Sequence, residues 1–169
     1  MTNKAIRTLV LAALFAALAC VATMVIQIPS PMNGYVNLGD CFVLLAGWVL
    51  GPVYGSLAAG IGSALADMFT GYMHYAPGTF LIKAVMALIA WALAKALISR
   101  FRGKRALCKG ISAVVAELFM VVGYYFYAGL LLGKGLGALG AAASIPGNLV
   151  QGAVGAIAAV LLSQVIDRY

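Results

Sequence analysis

Long apolar runs, broken by short polar or Gly/Pro-rich stretches, dominate this chain. Six stand out, at residues 5–27, 39–51, 54–72, 78–98, 110–132 and 147–166. A membrane-crossing helix needs about 20 apolar residues, somewhat fewer where its end is buried. The pattern predicts an all-α membrane protein with six transmembrane helices, forming a single membrane domain over residues 1–169. The first run ends at Gln27, before Pro29 and Pro31, and the second stops at Gly51-Pro52. That second run is the weak one. It is thirteen residues long, which at a rise of ~1.5 Å per residue makes only ~20 Å against a hydrocarbon core of ~30 Å. It tilts, begins earlier in the Tyr35–Leu38 stretch, or is shielded by its neighbours.

Composition agrees with the pattern. Of 169 residues, 64% are hydrophobic and 9% charged, and mean hydropathy is +1.06. A soluble domain is about 45–50% apolar and about 25% charged, so this chain has too little polar surface for a water-soluble globule. The net charge of +7 is distributed as in a membrane protein, not as in a nucleic-acid binder. Arg100, Arg102, Lys104, Arg105 and Lys109 fall in one short segment between apolar runs. With the N-terminus inside, that segment, Lys4, Arg7 and Arg168 are all cytoplasmic, and the outer loops hold only Lys134. This positive-inside bias places both termini in the cytoplasm. The outer connections are then 28–38, 73–77 and 133–146. The first and third are rich in Gly, Pro and Ser; they are ordinary connections or a lid over a site on the outer face.

Three cysteines, Cys20, Cys41 and Cys108, form no CxxC and read as buried free thiols. In the first helix, Ala12 and Ala16 are four apart, as are Ala13 and Ala17. Small residues so spaced let another helix approach closely, either within the bundle or from a different membrane subunit. Gly39, Gly47, Gly51, Gly55, Gly60 and Gly62 read as helix-packing positions, since no GxxxxGK[ST] occurs.

Among the charges within or at the edge of spans are Asp40, Asp67, Lys83 and Glu117. A charge at the centre of a span costs about 2.5–3.5 kcal/mol on insertion scales, so such residues face the bundle interior or a cavity. Asp67 and Lys83 flank the turn MHYAP at similar depth, ~7–8 Å below the ends of their helices. They form a salt bridge, or one or both bind a polar solute. Glu117, in the inner half of its helix, pairs with a cytoplasmic-end lysine or a polar helix partner, or touches substrate.

Two helices open alike, APGTFLIK at 76–83 and IPGNLVQG at 145–152. Proline suits a helix start, and Thr79 or Asn148 can cap it. Helices two, four and six all begin on the outer side, which gathers their positive dipole ends there. Asn148 and Gln151 share a face near that end. Of the aromatics, Tyr35, Tyr72, Tyr75, Trp48, Tyr125, Phe126 and Tyr127 suit a membrane interface, whereas Tyr124 lies deeper and can stack on a planar ring. Enzyme readings fail at the motif step. One histidine excludes HExxH and His-cluster metal sites, and no GxSxG or paired-carboxylate signature is present. No cofactor or metal is expected. An intramembrane enzyme acting on lipid, or a structural membrane partner, stand as readings from other classes.

The run GYVNLGDCFVLLAGWVLGPVYGSLAAGIGSALADMFTGY, with APGTFLIK and IPGNLVQG, resembles the substrate-binding S components of energy-coupling factor (ECF) vitamin transporters. The resemblance covers most of the chain but does not specify the vitamin. It implies a six-helix S-component bundle in the plasma membrane of a prokaryote, without an ATPase of its own. Such a subunit captures a micronutrient at the outer face. It works with a transmembrane coupling subunit and two ABC-type ATPases, and topples in the membrane to carry its ligand inward. In this family an AxxxA face is similar to the docking surface for the coupling subunit, which implies that role for Ala12, Ala13, Ala16 and Ala17. The ligand region implied contains Asn37, His74, Tyr75, Lys83, Tyr124, Asn148 and Gln151, with Asp40, Asp67 and Glu117 as structural or binding charges. Polar groups of both signs suit a small planar heteroaromatic with hydroxyl groups, pyridoxine-like or hydroxymethylpyrimidine-like. Riboflavin and pantothenate are the alternatives, the latter with Lys83 as its counter-ion.

Overall fold

A computed structural model describes residues 3–30, 34–101, 103–137 and 139–168, with the side chains of 28–36 left undescribed. Arg102 of the basic segment, residues 31–33 of the first outer loop and the side chain of Tyr35 therefore lie outside the description. Among the described residues there are five long apolar helices: α1 (Asn3–Val25), α2 (Gly39–Phe69), α3 (Ala76–Arg100), α4 (Arg105–Phe126) and α5 (Ile145–Ile166). Helix α4 continues as a π-helical segment, Tyr127–Leu131, and a 3-10 turn at Ala141–Ser144 leads into α5.

The count differs from the six expected runs because 39–51 and 54–72 form one element, α2. Its hydrogen-bonded ladder is interrupted at Gly51, where φ is 80° and ψ is −170°. That left-handed conformation is open to glycine and strained for other residues, and Pro52 next to it cannot continue the ladder. The chain folds back there. A Cβ placed on Gly55 would lie 2.5 Å from the Ala46 carbonyl oxygen, a contact impossible along a straight helix. The first arm, 39–50, is too short to cross a hydrocarbon core unaided, and it is sheltered. Val43, Leu44 and Leu45 are fully buried, packed with Met86 of α3 and Met120 of α4. Shielding by neighbours thus accounts for a segment too short to face lipid alone.

Between α1 and α2 the loop is not irregular throughout. Strands β1 (Ile28–Ser30) and β2 (Gly34–Val36) pair antiparallel, with Pro29 opposite Tyr35. The expected caps also differ. Neither α3 nor α5 has a side-chain cap at its start, although each carries proline in its first turn; Thr79 instead accepts a hydrogen bond from Tyr124.

Helix α1 is peripheral, and along it only Phe15, Ala19, Cys20 and Thr23 are buried. Its two alanine pairs separate. Ala12 and Ala16 pack inward, Ala16 directly over Gly62 of α2, whereas Ala13 and Ala17 are exposed. Large apolar side chains are exposed on every long helix, among them Val10, Leu57, Leu81, Leu118 and Ile157, as expected where lipid is the solvent.

At the end of the bundle opposite the loop strands, Lys109 of α4 donates to both carboxylate oxygens of Asp167 at 2.9 and 2.8 Å. Its ammonium also lies 5.5 Å from the Trp48 ring. The Trp48 indole donates to the Ala90 carbonyl and the Ser112 hydroxyl, each at 3.2 Å. This cluster ties the end of α5 to α2, α3 and α4. Asp167 is 31% exposed but the Lys109 side chain only 9%, so Asp167→Asn leaves a largely buried ammonium on a neutral acceptor and is expected to cost about 1–3 kcal/mol, read as a fall in the midpoint of thermal unfolding in detergent.

Candidate ligand-binding site

At the end of the bundle near the β1–β2 ribbon the helices surround an open cavity of about 610 Å³, counting the space at its mouth that is open to solvent. Six of the seven expected ligand residues line it: Asn37, Tyr75, Lys83, Tyr124, Asn148 and Gln151. The seventh, His74, is exposed at the rim and does not line the cavity; its ring lies 4.9 Å from that of Tyr75. Asp67 lines the wall and is 95% buried.

The floor is a polar network joining four elements. Asn37 uses its backbone N–H and its side-chain amide to donate to the Gln151 carbonyl oxygen, at 3.0 and 3.2 Å. Its own amide oxygen accepts from the Gly39 N–H at 2.8 Å, satisfying one of the orphan donors at the start of α2, and from the Thr23 hydroxyl at 3.4 Å. Gln151 in turn donates to Asp40 at 2.7 Å. The other Asp40 oxygen receives the Lys83 ammonium. Both charged residues are buried, Asp40 at 0% and Lys83 at 3% exposure.

This pairing corrects the sequence expectation for Lys83. Its salt-bridge partner is Asp40, not Asp67, because α2 brings its first arm, and not only its second, against α3. Of the partners expected for Glu117, the lysine is excluded. The cytoplasmic-end lysine, Lys109, is taken by Asp167. Glu117 is buried behind the cavity, against Gly152 and Gly155 of α5 and close to Asp40. A Cβ on Gly155 would come within 2.8 Å of the Asp40 Cβ and 3.2 Å of a Glu117 carboxyl oxygen. The two α5 glycines therefore make room for two carboxyl groups.

Aromatic side chains form the upper wall. Tyr75 and Tyr124 meet edge to face with ring centres 6.3 Å apart, and Tyr127 lies 6.1 Å from Tyr75. Tyr124 donates to Thr79 at 3.0 Å, and the Lys83 ammonium sits 5.5 Å from the Tyr124 ring. Two connections meet over this wall. Lys134 donates to the Tyr75 hydroxyl at 2.7 Å, and Tyr127 donates to the His74 carbonyl at 2.9 Å. The lining thus combines tyrosine rings with amide, hydroxyl, ammonium and carboxylate groups, a mixture suited to holding a small organic molecule with polar substituents. Among the described residues no group of three metal-ligating side chains converges.

Sequence reasoning missed Thr23, Ser63, Ala128 and Ser144 in the lining, and gave Tyr72 and Thr79 other roles. Ala128 belongs to the π-helical segment, for which the sequence carries no distinctive signal. Thr23 and Ser63 are the polar positions of otherwise apolar stretches in α1 and α2, which is the signal that could have found them.

Over residues 3–168 the sequence matches the family described as ECF-type riboflavin transporter, S component. An uncharacterized protein of Pyrococcus woesei is 35% identical over 138 residues, covering 81% of this chain and 86% of its own. The thiamine precursor transporter HmpT of Lactococcus lactis subsp. cremoris is 27% identical, covering 99% of this chain and 92% of its own. Among solved structures, the S component of a bacterial ECF transporter superposes with TM-score 0.73 at 25% identity, covering 97% of both chains. The S component for biotin of an ECF-type ABC transporter superposes with TM-score 0.66 at 18% identity, over 99% of this chain and 93% of that one; it is a likeness of fold.

Proposed function

The chain belongs to the S component family of ECF-type riboflavin transporters, and from that premise we propose that it captures a small planar heteroaromatic vitamin or precursor, hydroxymethylpyrimidine-like or pyridoxine-like, at the outer face of a prokaryotic plasma membrane. S components are substrate-binding transport subunits, not enzymes.

The observation that carries the ligand class is the cavity's form. Tyrosine rings stand over a floor of Asn37, Gln151 and Asn148, with the Asp67 carboxylate in the wall. Stacking holds a flat ring, and the amide, hydroxyl and carboxylate groups of the lining offer hydrogen bonds to amino and hydroxyl substituents. The relative that transports a thiamine precursor supports this reading over the whole chain. Riboflavin is the second reading, favoured by the family's description.

In this proposal the bundle crosses the membrane six times. The two arms of α2 count separately, and both termini and the basic loop are cytoplasmic, in keeping with the positive-inside bias. The exposed Ala13 and Ala17 on peripheral α1 present a small-residue surface on which a transmembrane coupling subunit can dock. Two ABC-type ATPases acting through that subunit supply the energy.

Native mass spectrometry of the detergent-purified protein tests the ligand. A bound mass matching a pyrimidine or pyridine alcohol is expected. Bound riboflavin would replace the first reading by the second.

A further inference from the structure

We infer that this cavity takes neutral or cationic ligands and rejects anions, and that Asp40, which lies behind the cavity wall, sets this preference by holding Lys83. The inference rests on the ligand-capture reading above and narrows its chemistry.

Among the described lining residues Lys83 is the one cationic side chain. It would be the natural counter-ion for a carboxylate or phosphate. Its ammonium is instead bound by Asp40, which is itself held by Gln151 at 2.7 Å. Asp40 has 0% exposure and no place in the lining, so an incoming anion cannot displace it into water. An anion would therefore be buried without a free counter-ion, next to Asp67 in the wall. Burying an uncompensated charge is among the most costly events in a protein interior.

The opposing contributions are smaller. The starts of α2, α3 and α5 lie nearby and carry up to roughly half a positive charge each, but the first N–H of α2 is already taken by Asn37, Asp40 and Lys83 offset each other, and Asp67 stands in the wall. Lys134 is at the rim, partly exposed and bonded to Tyr75, where water screens it. The tyrosine rings present negative faces that attract cations. A ligand with amino and hydroxyl donors therefore fits, and its acidic analogue does not.

The test compares near-isosteres on the purified, ligand-depleted protein by calorimetry. One probe is the aminopyrimidine alcohol, a pyrimidine with amino, methyl and hydroxymethyl groups. Its partner carries a carboxylate in place of the hydroxymethyl. Riboflavin and its phosphate ester form a second pair. Wild-type protein is expected to bind the uncharged member of the pair it recognises at least ~100-fold more tightly. Asp40→Asn keeps the shape and an acceptor for Gln151 but releases Lys83, and is expected to shrink that preference below ~10-fold or invert it. A wild type that binds both members equally, or an Asp40→Asn protein that binds with the wild-type ratio, overturns the inference while leaving capture intact. If the variant fails to fold, the wild-type ratio decides alone. If no member of either pair binds, the capture reading fails and the inference falls with it.

Discussion

Lys83→Met should lower stability by about 3–5 kcal/mol, because it leaves Asp40 charged and buried with no cation. For a domain of this size that corresponds to a fall of roughly 10 °C or more in the midpoint of thermal unfolding. Removing both charges is expected to be far milder. In Lys83→Met/Asp40→Asn the remaining pair is neutral and similar in shape, and Gln151 keeps an acceptor. Most of the loss should return, since a buried ion pair contributes little net stability over a well-packed neutral replacement. The cycle of two single variants and the double, measured in one detergent, isolates the coupling. Two single losses that simply add in the double variant would contradict the pairing.

The second large effect concerns close helix packing. Gly47 of α2 faces the backbone of Ala87 in α3 so tightly that a Cβ would overlap the Ala87 carbonyl oxygen. A neighbouring side chain can rotate away, but a carbonyl in a helix cannot, so the two helices must separate. Gly47→Leu is therefore expected to cost about 3 kcal/mol, at the upper end for overpacked cores. Gly110 of α4 provides the control, because a Cβ there would meet nothing within 4 Å. Gly110→Ala is expected to be neutral or to gain about 0.5–1 kcal/mol from reduced backbone freedom. Thermal unfolding of the two variants side by side checks the contrast, and equal losses would argue against packing as the cause.

Both cases indicate what the sequence makes legible. Apolar runs and the Gly51-Pro52 break are local properties, so the helices and the fold-back of α2 can be read from composition and two residues. The cluster of glycines around Gly47, Gly55 and Gly62 likewise announces close approach, although not which backbone approaches. Most ligand candidates were legible because Asn37, Lys83, Asn148 and Gln151 are polar residues in apolar surroundings near one end of their helices. The partner of Lys83 was not. Reasoning from the α2–α3 hairpin compares only chain neighbours, and Asp67 is the nearer acid in that hairpin. Asp40 reaches Lys83 because the first arm of α2 is packed among α3, α4 and α5, which depends on the rotation of whole helices. For Glu117 the sequence left a basic-end lysine, a polar helix partner or substrate open for the same reason, and Gly152 and Gly155 open a place for it beside Asp40. His74 shows the opposite error, since position next to Tyr75 in the chain put it in the candidate set although its ring stays at the rim.

The split of the α1 alanines has the same origin. Spacing places Ala12, Ala13, Ala16 and Ala17 on neighbouring strips of one helix, and only the packing of α2 decides which strip is used internally. Ala16 meets Gly62, leaving Ala13 and Ala17 outward.

Capture without nucleotide is the central claim, and one titration tests it most directly. The isolated protein, depleted of bound ligand and free of ATP and partner subunits, is titrated with a panel of water-soluble vitamins and precursors that includes the aminopyrimidine alcohol, pyridoxine, riboflavin and pantothenate. The account predicts saturable one-to-one binding of an uncharged planar member with a dissociation constant well below ~1 μM. Failure of every member to bind more tightly than that would contradict it.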